Sequence, residues 1–126
     1  MNFPPDLKYT KDHEWLKLND DNTATIGITD FAQSELGDVV FVDINTVGND
    51  LSAGDVFGTI EAVKAVSDLF MPVKGKIIEV NSALNSNPEL VNKDPYNEGW
   101  MAKIEIANSE EINSLADASA YEKLVS

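Results

Sequence analysis

Few side chains in this sequence could do covalent chemistry, and their types exclude most of it. With one histidine, His13, and no cysteine, a Cys-His pair and a histidine-based metal cluster are ruled out. A Ser-His-Asp arrangement would have to draw on serines that lie in no nucleophile-elbow pattern. No glycine-rich loop suited to a phosphate is present. What remains is one lysine in unusual surroundings. Lys64 stands between two β-rich runs, residues 56–63 and 66–73, and reads as the tip of a hairpin. A lysine that accepts an acyl group from a modifying enzyme must project from an exposed, rigid turn, so that a foreign active site can close around it. Ala62, Val63, Ala65 and Val66 keep such a tip slim and its strands stiff, and Gly75 allows a tight backbone path just beyond the second run. An ordinary surface lysine in a turn is the alternative, and the residues alone leave both readings open.

The elements that must position Lys64 follow from patterning. Residues 1–6 form an arm, since Pro4-Pro5 fits neither a helix interior nor a central strand. Residues 13–18 and 23–28 flank an Asn/Asp cluster and predict a hairpin with Ala24, Ile26 and Ile28 on one face. Thr29 or Asp30 can cap a short helix through Leu36. Gln33 completes a capping box if Asp30 is the cap, and Gly37 ends the helix. Phe31, Ala32, Glu35 and Leu36 share one face of it, which predicts a lid over a sheet edge.

From Gly37 onward the chain carries a weak internal repeat. Gly37-Asp-Val-Val-Phe-Val-Asp43 matches Gly75-Lys-Ile-Ile-Glu-Val-Asn81, and each copy continues through a loop to a second glycine and a further strand, at residues 54–61 and 99–105. Either these are two copies of one unit or glycine-bounded strands resemble each other by chance. Neither unit could bury its apolar face alone, so two packed about a pseudo-twofold axis predict a flattened β-barrel or sandwich of two similar halves with short peripheral helices. Residues 82–98 should hold a helical turn around 89–92 and turn Leu84, Leu90 and Val91 inward. Residues 109–126 read as two short helices, started by Ser109 and by a capping box at Ser119 and Glu122, with Tyr121, Leu124 and Val125 packing onto the barrel.

The composition narrows the partners. At 126 residues and 43% hydrophobic, the chain suits one domain spanning residues 1–126. Its net charge of −13, with 22 acidic residues against 9 lysines and no arginine, disfavours nucleic acid and anionic membranes and favours steered encounters with basic protein surfaces. The start of the chain has neither the basic head nor the apolar run of a signal peptide, and no run reaches membrane-spanning length. The cytoplasm is the expected compartment, or the mitochondrial matrix if a transit peptide has been removed, and a monomer is the expected state.

The sequence closely resembles the H proteins of the glycine cleavage system over nearly its whole length. The likeness is carried by Lys8-Tyr9, His13-Glu14-Trp15, Ile26-Gly-Ile-Thr-Asp30 and Gly37-Asp-Val-Val-Phe-Val-Asp43. It continues through Glu61-Ala-Val-Lys-Ala-Val-Ser-Asp68, Pro72-Val-Lys-Gly75, Asn81, Asn87-Pro-Glu-Leu-Val-Asn92, Pro95-Tyr96, Gly99-Trp100 and Tyr121. Together these are specific, whereas a lysine hairpin alone is shared with biotinyl and other lipoyl domains.

The resemblance implies a barrel of the lipoyl/biotinyl hammerhead type and a lipoic acid in amide linkage to Lys64. It implies a non-enzymatic carrier of glycine catabolism that takes an aminomethyl group from a pyridoxal-phosphate-dependent glycine decarboxylase to a tetrahydrofolate-dependent aminomethyltransferase. A FAD-dependent dihydrolipoyl dehydrogenase then reoxidises the dithiol. Glu61 and Gly75 match positions read by the lipoylating enzyme, and Glu14 and Asp68 match residues lining a cleft that shelters the loaded arm. Asp12 stands where some relatives carry serine and would make that cleft more acidic. A relay that donates lipoyl or octanoyl groups to other lipoyl domains is the alternative within the same fold, and an unmodified interaction module is the alternative from another class.

Overall fold

Alternating apolar residues build the first ladder. The computed structural model describes residues 1–19 and 21–125. Strand β1 (Lys8–Tyr9) pairs with β2 (Glu14–Leu18), and β2 pairs in full register with β3 (Thr23–Ile28), Leu16 standing opposite Ile26. The predicted hairpin is present, and Ala24, Ile26 and Ile28 are all buried. Trp15 points away from that core. It joins Leu7, Tyr9 and Tyr121 in a second apolar cluster on the far side of the sheet and donates its indole N–H to the Pro95 carbonyl at 3.0 Å.

Helix α1 (Asp30–Leu36) is capped by Thr29, whose hydroxyl accepts the Ala32 N–H at 3.1 Å. Of the two caps the sequence allowed, Thr29 is therefore the one used, and Gln33 instead donates to the Asp30 side chain at 2.8 Å. Gly37 ends the helix in the left-handed region, φ 81°, and returns its N–H to the Gln33 carbonyl.

The remaining strands make two antiparallel sheets. A three-stranded sheet runs β4-β6-β7, from β4 (Val39–Asp43), β6 (Val56–Ala62) and β7 (Val66–Phe70). A six-stranded sheet runs β1-β2-β3-β9-β8-β5, with β5 (Asp50–Leu51), β8 (Gly75–Val80) and β9 (Ala102–Ile106). Apolar residues of both inner faces, among them Leu16, Ile26, Val42, Phe57, Ile60, Leu69, Ile77 and Ile104, interdigitate as the main core. This is the expected mainly β sandwich with short peripheral helices.

The sequence repeat has a structural counterpart. Register slips by one residue between Val39 and Phe41 in the β4-β6 pair and between Ile77 and Glu79 in the β8-β9 pair. The two bulges fall at matching positions of the aligned copies, and each leaves a large residue, Val40 or Ile78, facing solvent. The two sheets differ in size because the N-terminal hairpin extends the second against β9 and the two-residue β5 crosses over to pair with β8.

The later helices depart from expectation in detail. Residues 82–98 hold two short helices, α2 (Ala83–Ser86) and α3 (Leu90–Lys93), where one turn was expected. A 3-10 turn covers Ser109–Ser114, and α4 covers Ala118–Val125. Their starts are fixed one or two residues earlier than the sequence suggested. Asn108, not Ser109, accepts the Glu110 N–H, and Asp117, not Ser119, accepts the Ala120 N–H at 2.8 Å. Tyr121 is buried and Val125 partly so, while Leu124 faces solvent. No helix among the described residues is long and apolar enough to cross a membrane.

Candidate functional site

The hairpin tip is built from β6 and β7. Glu61 stands opposite Val66, and the Ala62 N–H donates to the Ala65 carbonyl at 2.7 Å, leaving Val63 and Lys64 outside the ladder and exposed. No residue of the tip has a positive φ, which is why a β-branched valine is tolerated there. Both flanking strands end sooner than predicted, β6 at Ala62 and β7 at Phe70. The tip is tied down from below: the Val63 N–H donates to the Asp38 carbonyl at 3.0 Å. That segment is held in turn by Asn92, whose side chain donates to the Gly37 carbonyl at 2.8 Å and accepts the Val39 N–H at 2.8 Å. The lysine is thus mounted on a braced turn.

Its side chain does not point freely into solvent. A Cβ placed on Gly37 would lie 3.4 Å from the Lys64 Cε and 4.0 Å from its Nζ, so the lysine stem lies across the C-terminal end of α1. The stem would only be in ordinary contact with such a Cβ, so it is the positive φ that disfavours any replacement of this glycine. One residue further back, Leu36 and Glu35 already form the wall of a cleft of about 200 Å³.

That cleft brings together the three predicted carboxylates. It is lined by Asp12, His13 and Glu14 from the start of β2, Ala32, Glu35 and Leu36 from α1, Ile60 from β6, and Ser67, Asp68 and Leu69 from β7, with Ile28 at its base. Helix α1 is therefore one wall of the site, where the sequence suggested only a lid. Asp12 and Asp68 are exposed at its rim, and Glu14 is 3% exposed at its depth.

Glu14 is a buried carboxyl with one oxygen partnered and one not. It begins β2 on the same inward face as Leu16, so the strand drives a carboxylate into an apolar interior. One oxygen, Oε2, accepts the Phe70 N–H at 2.7 Å. The other, Oε1, is the single buried side-chain polar atom without a partner among the described residues. Burial is the main reason its pKa is pushed up to about 8. The Phe70 N–H opposes that shift, the nearby Asp12 charge adds to it, and Thr10 opposes it. At neutral pH the carboxyl accordingly favours its protonated form, as a buried acid with one hydrogen bond and no cation among the groups that shift it should.

The other predicted positions separate. Glu61 is exposed on the outer face of the three-stranded sheet, three residues from Lys64, between Phe41 on β4 and Val66 on β7. Gly75 lies in the other sheet, buried in β8, and a Cβ there would come within 2.6 Å of the Glu105 carbonyl oxygen. Close packing of β8 on β9 by itself requires glycine at that position. Glu35, His13 and Gly37 join the site without having been singled out for it. The shared helical face of Phe31, Ala32, Glu35 and Leu36 was the signal for Glu35. Larger depressions, of about 340 and 500 Å³, lie elsewhere on the surface, and neither contains a buried orphan polar atom. No cluster of potential metal ligands occurs among the described residues.

A braced, exposed lysine lying beside a small acidic cleft is the arrangement under which the comparisons with known proteins gain meaning. The family model for glycine cleavage H-proteins matches residues 7–126. The chain belongs to the glycine cleavage H-protein family. It is 58% identical over 125 residues to the glycine cleavage system H protein of Bacteroides fragilis, covering 99% of this chain and 98% of that one. It is 54% identical over 122 residues to the protein of the same name from Carboxydothermus hydrogenoformans, covering 97% and 93%. A crystal structure described as a glycine cleavage system H protein from Mycobacterium marinum superposes with a TM-score of 0.87 at 38% identity, covering 95% of this chain and 96% of the other. Family membership accounts for the likeness from the N-terminal hairpin to α4.

Proposed function

We propose that the protein is a lipoyl carrier of the glycine cleavage system, with lipoic acid attached through an amide to Lys64. The observation that carries this reading is the continuity of the site. The Lys64 stem lies over Gly37 at the end of α1, and the same helix leads into a cleft floored by an orphaned buried carboxyl oxygen. A lipoyl group supplies a ring disulfide whose sulfur can accept an aminomethyl group and which, once reduced, yields two reducing equivalents.

The chain's own residues explain how such a cargo is sheltered. Ile28, Leu36, Ile60 and Leu69 make the cleft apolar enough to exclude water from an arm laid into it. An aminomethyl group carries a protonated amine, and Glu14 Oε1, the oxygen without a partner, becomes a free acceptor once the carboxyl is ionised. The incoming cation favours the carboxylate form, so Glu14 releases its proton to solvent as the charge arrives and the ion pair forms in a poorly hydrated space. Asp12 and Asp68 at the rim, with Glu35 on α1, give the mouth a negative potential that draws the amine inward.

Glu61 serves as a landmark for the lipoylating enzyme: it is exposed, rigidly placed in β6 and three residues from the target. If Gly75 is read as well, it acts through the path it gives β8, since it carries no side chain and is buried. The acidic surface suits transient docking with glycine decarboxylase, the tetrahydrofolate-dependent aminomethyltransferase and dihydrolipoyl dehydrogenase in turn. The test is glycine-dependent release of carbon dioxide by glycine decarboxylase with this protein, prepared with lipoate, as acceptor. The wild type should support it and Lys64→Arg should not, because a guanidinium cannot form the lipoyl amide. Equal support from Lys64→Arg would overturn the proposal.

A further inference from the structure

Two walls of the cleft come from segments far apart in sequence, the start of β2 and helix α1, and one hydroxyl from the C-terminal helix joins them. Tyr121 is fully buried, with its ring stacked on Tyr9 at 4.8 Å between centroids. Its hydroxyl lies 2.9 Å from His13 Nδ1 and 2.8 Å from the hydroxyl of Thr29. Thr29 caps α1, whose residues Ala32, Glu35 and Leu36 face the cleft, and His13 lines the same cleft and immediately precedes Glu14. His13 also rests on Phe31 of α1, 4.9 Å between rings. Its backbone is in the left-handed region, φ 66°, a conformation that persists only where surrounding contacts impose it.

We propose that Tyr121 is a positioning residue for the cargo cleft: its hydroxyl clamps His13 to the cap of α1 and fixes the histidine as the tautomer with its proton on Nε2. This rests on the carrier reading above and extends it to the C-terminal helix.

Hydrogen-bond accounting sets the direction of the chain. The Thr29 oxygen already accepts the Ala32 N–H, and Thr29 is fully buried. If Thr29 donates to Tyr121 and Tyr121 donates to His13 Nδ1, every hydroxyl proton is used and Nδ1 is an acceptor. With His13 Nδ1–H as donor to Tyr121, a buried hydroxyl proton is left with no acceptor: that of Thr29 if Tyr121 donates to Thr29, or that of Tyr121 if Thr29 also donates to it. Burial raises the Tyr121 pKa, so its phenol keeps the proton this chain requires. The result is a neutral imidazole with its remaining N–H on Nε2 and a fixed spacing between the Glu14 and Glu35 walls.

Tyr121→Phe keeps the ring stack and removes only the hydroxyl, so the lipoylated, aminomethyl-loaded variant tests the clamp. Wild type and variant are compared for the half-life of the loaded arm in the absence of acceptor enzyme. The variant should lose its cargo at least about fivefold faster, the effect of losing about 1 kcal/mol, the net contribution of one of the two hydrogen bonds that the hydroxyl makes. Equal half-lives for two equally folded proteins would overturn the clamp. A wild-type arm no longer-lived than the same adduct on a free lipoyl-lysine peptide would instead overturn the sheltering cleft itself, which separates the two failures. A second measurement needs no variant: nitrogen NMR of His13 in the wild type should show the Nε2–H tautomer, and an Nδ1–H ring would refute the proposed chain even if Tyr121→Phe did not fold.

Discussion

Replacing Glu14 by glutamine gives a sharp physical test of the cleft. In the unfolded chain this carboxyl titrates near its ordinary 4.5, while in the folded protein burial holds the proton until about 8. Between those values the folded state binds more protons than the unfolded state, so the contribution of Glu14 to stability is fully present below 4.5 and is lost as pH rises toward 8. At about 1.4 kcal/mol per pH unit, the span amounts to about 5 kcal/mol, a large share of the stability of a domain this size. Glutamine keeps the shape and an oxygen for the Phe70 N–H, and it has no proton to lose. Its buried NH2 adds a constant offset, so the slope carries the test and not the absolute stability. The assay is urea unfolding of the unlipoylated protein from pH 5 to 9, followed by tryptophan fluorescence: Trp15 is buried in the second apolar cluster and Trp100 packs against it. The gap between the two proteins should move steadily in favour of Glu14→Gln as pH rises and level off above about 8. Parallel curves would refute the claim that an uncompensated buried carboxyl lies in the cleft.

Other consequences follow from the same geometry. Asp68→Ala should leave lipoylation intact and shorten the half-life of the aminomethyl cargo by about twofold, a small effect because exposed charges attract weakly through water. An unchanged half-life would remove Asp68 from the site. Gly75→Ala should lower stability by about 1–3 kcal/mol through overpacking against the Glu105 carbonyl, measured by denaturant unfolding. Lipoylation of the folded fraction at the wild-type rate would then show that the glycine serves packing and not enzyme recognition.

The parts of the fold legible in the sequence are those with strong local patterning. The β2-β3 hairpin could be read because Ala24, Ile26 and Ile28 alternate across a turn-forming cluster, and the lysine hairpin because β-branched runs flank it. The repeat was visible as residue types, and its shared bulge was not, since a register slip leaves no composition of its own. Strand β5 is two residues long and exists only because β8 offers it an edge. The caps at Asn108 and Asp117 were missed because serines one or two residues later offered the same chemistry, and only the backbone decides between neighbours.

The candidate site divides along the same line. Lys64 stood out because every other route to chemistry was closed. Glu14 came through family resemblance, although an acid two residues before the buried Leu16 on one strand face was a signal in its own right. The side chains that join it from elsewhere, Glu35 and the Tyr121 hydroxyl, lie 21 and 107 positions further along the sequence and meet it only when α1 and α4 pack against the start of β2. Gly37 was read as a helix stop, and its place beneath the Lys64 stem depends on a hairpin that returns from β6.

The central claim is that Lys64 carries a lipoyl group. It is tested most directly by mass spectrometry of the protein purified from a lipoylating host supplied with lipoate. The expected result is the added mass of one lipoyl group, located on the peptide containing Lys64, with trypsin failing to cut after that residue. An unmodified Lys64 under those conditions, or the modification on another lysine, would contradict it.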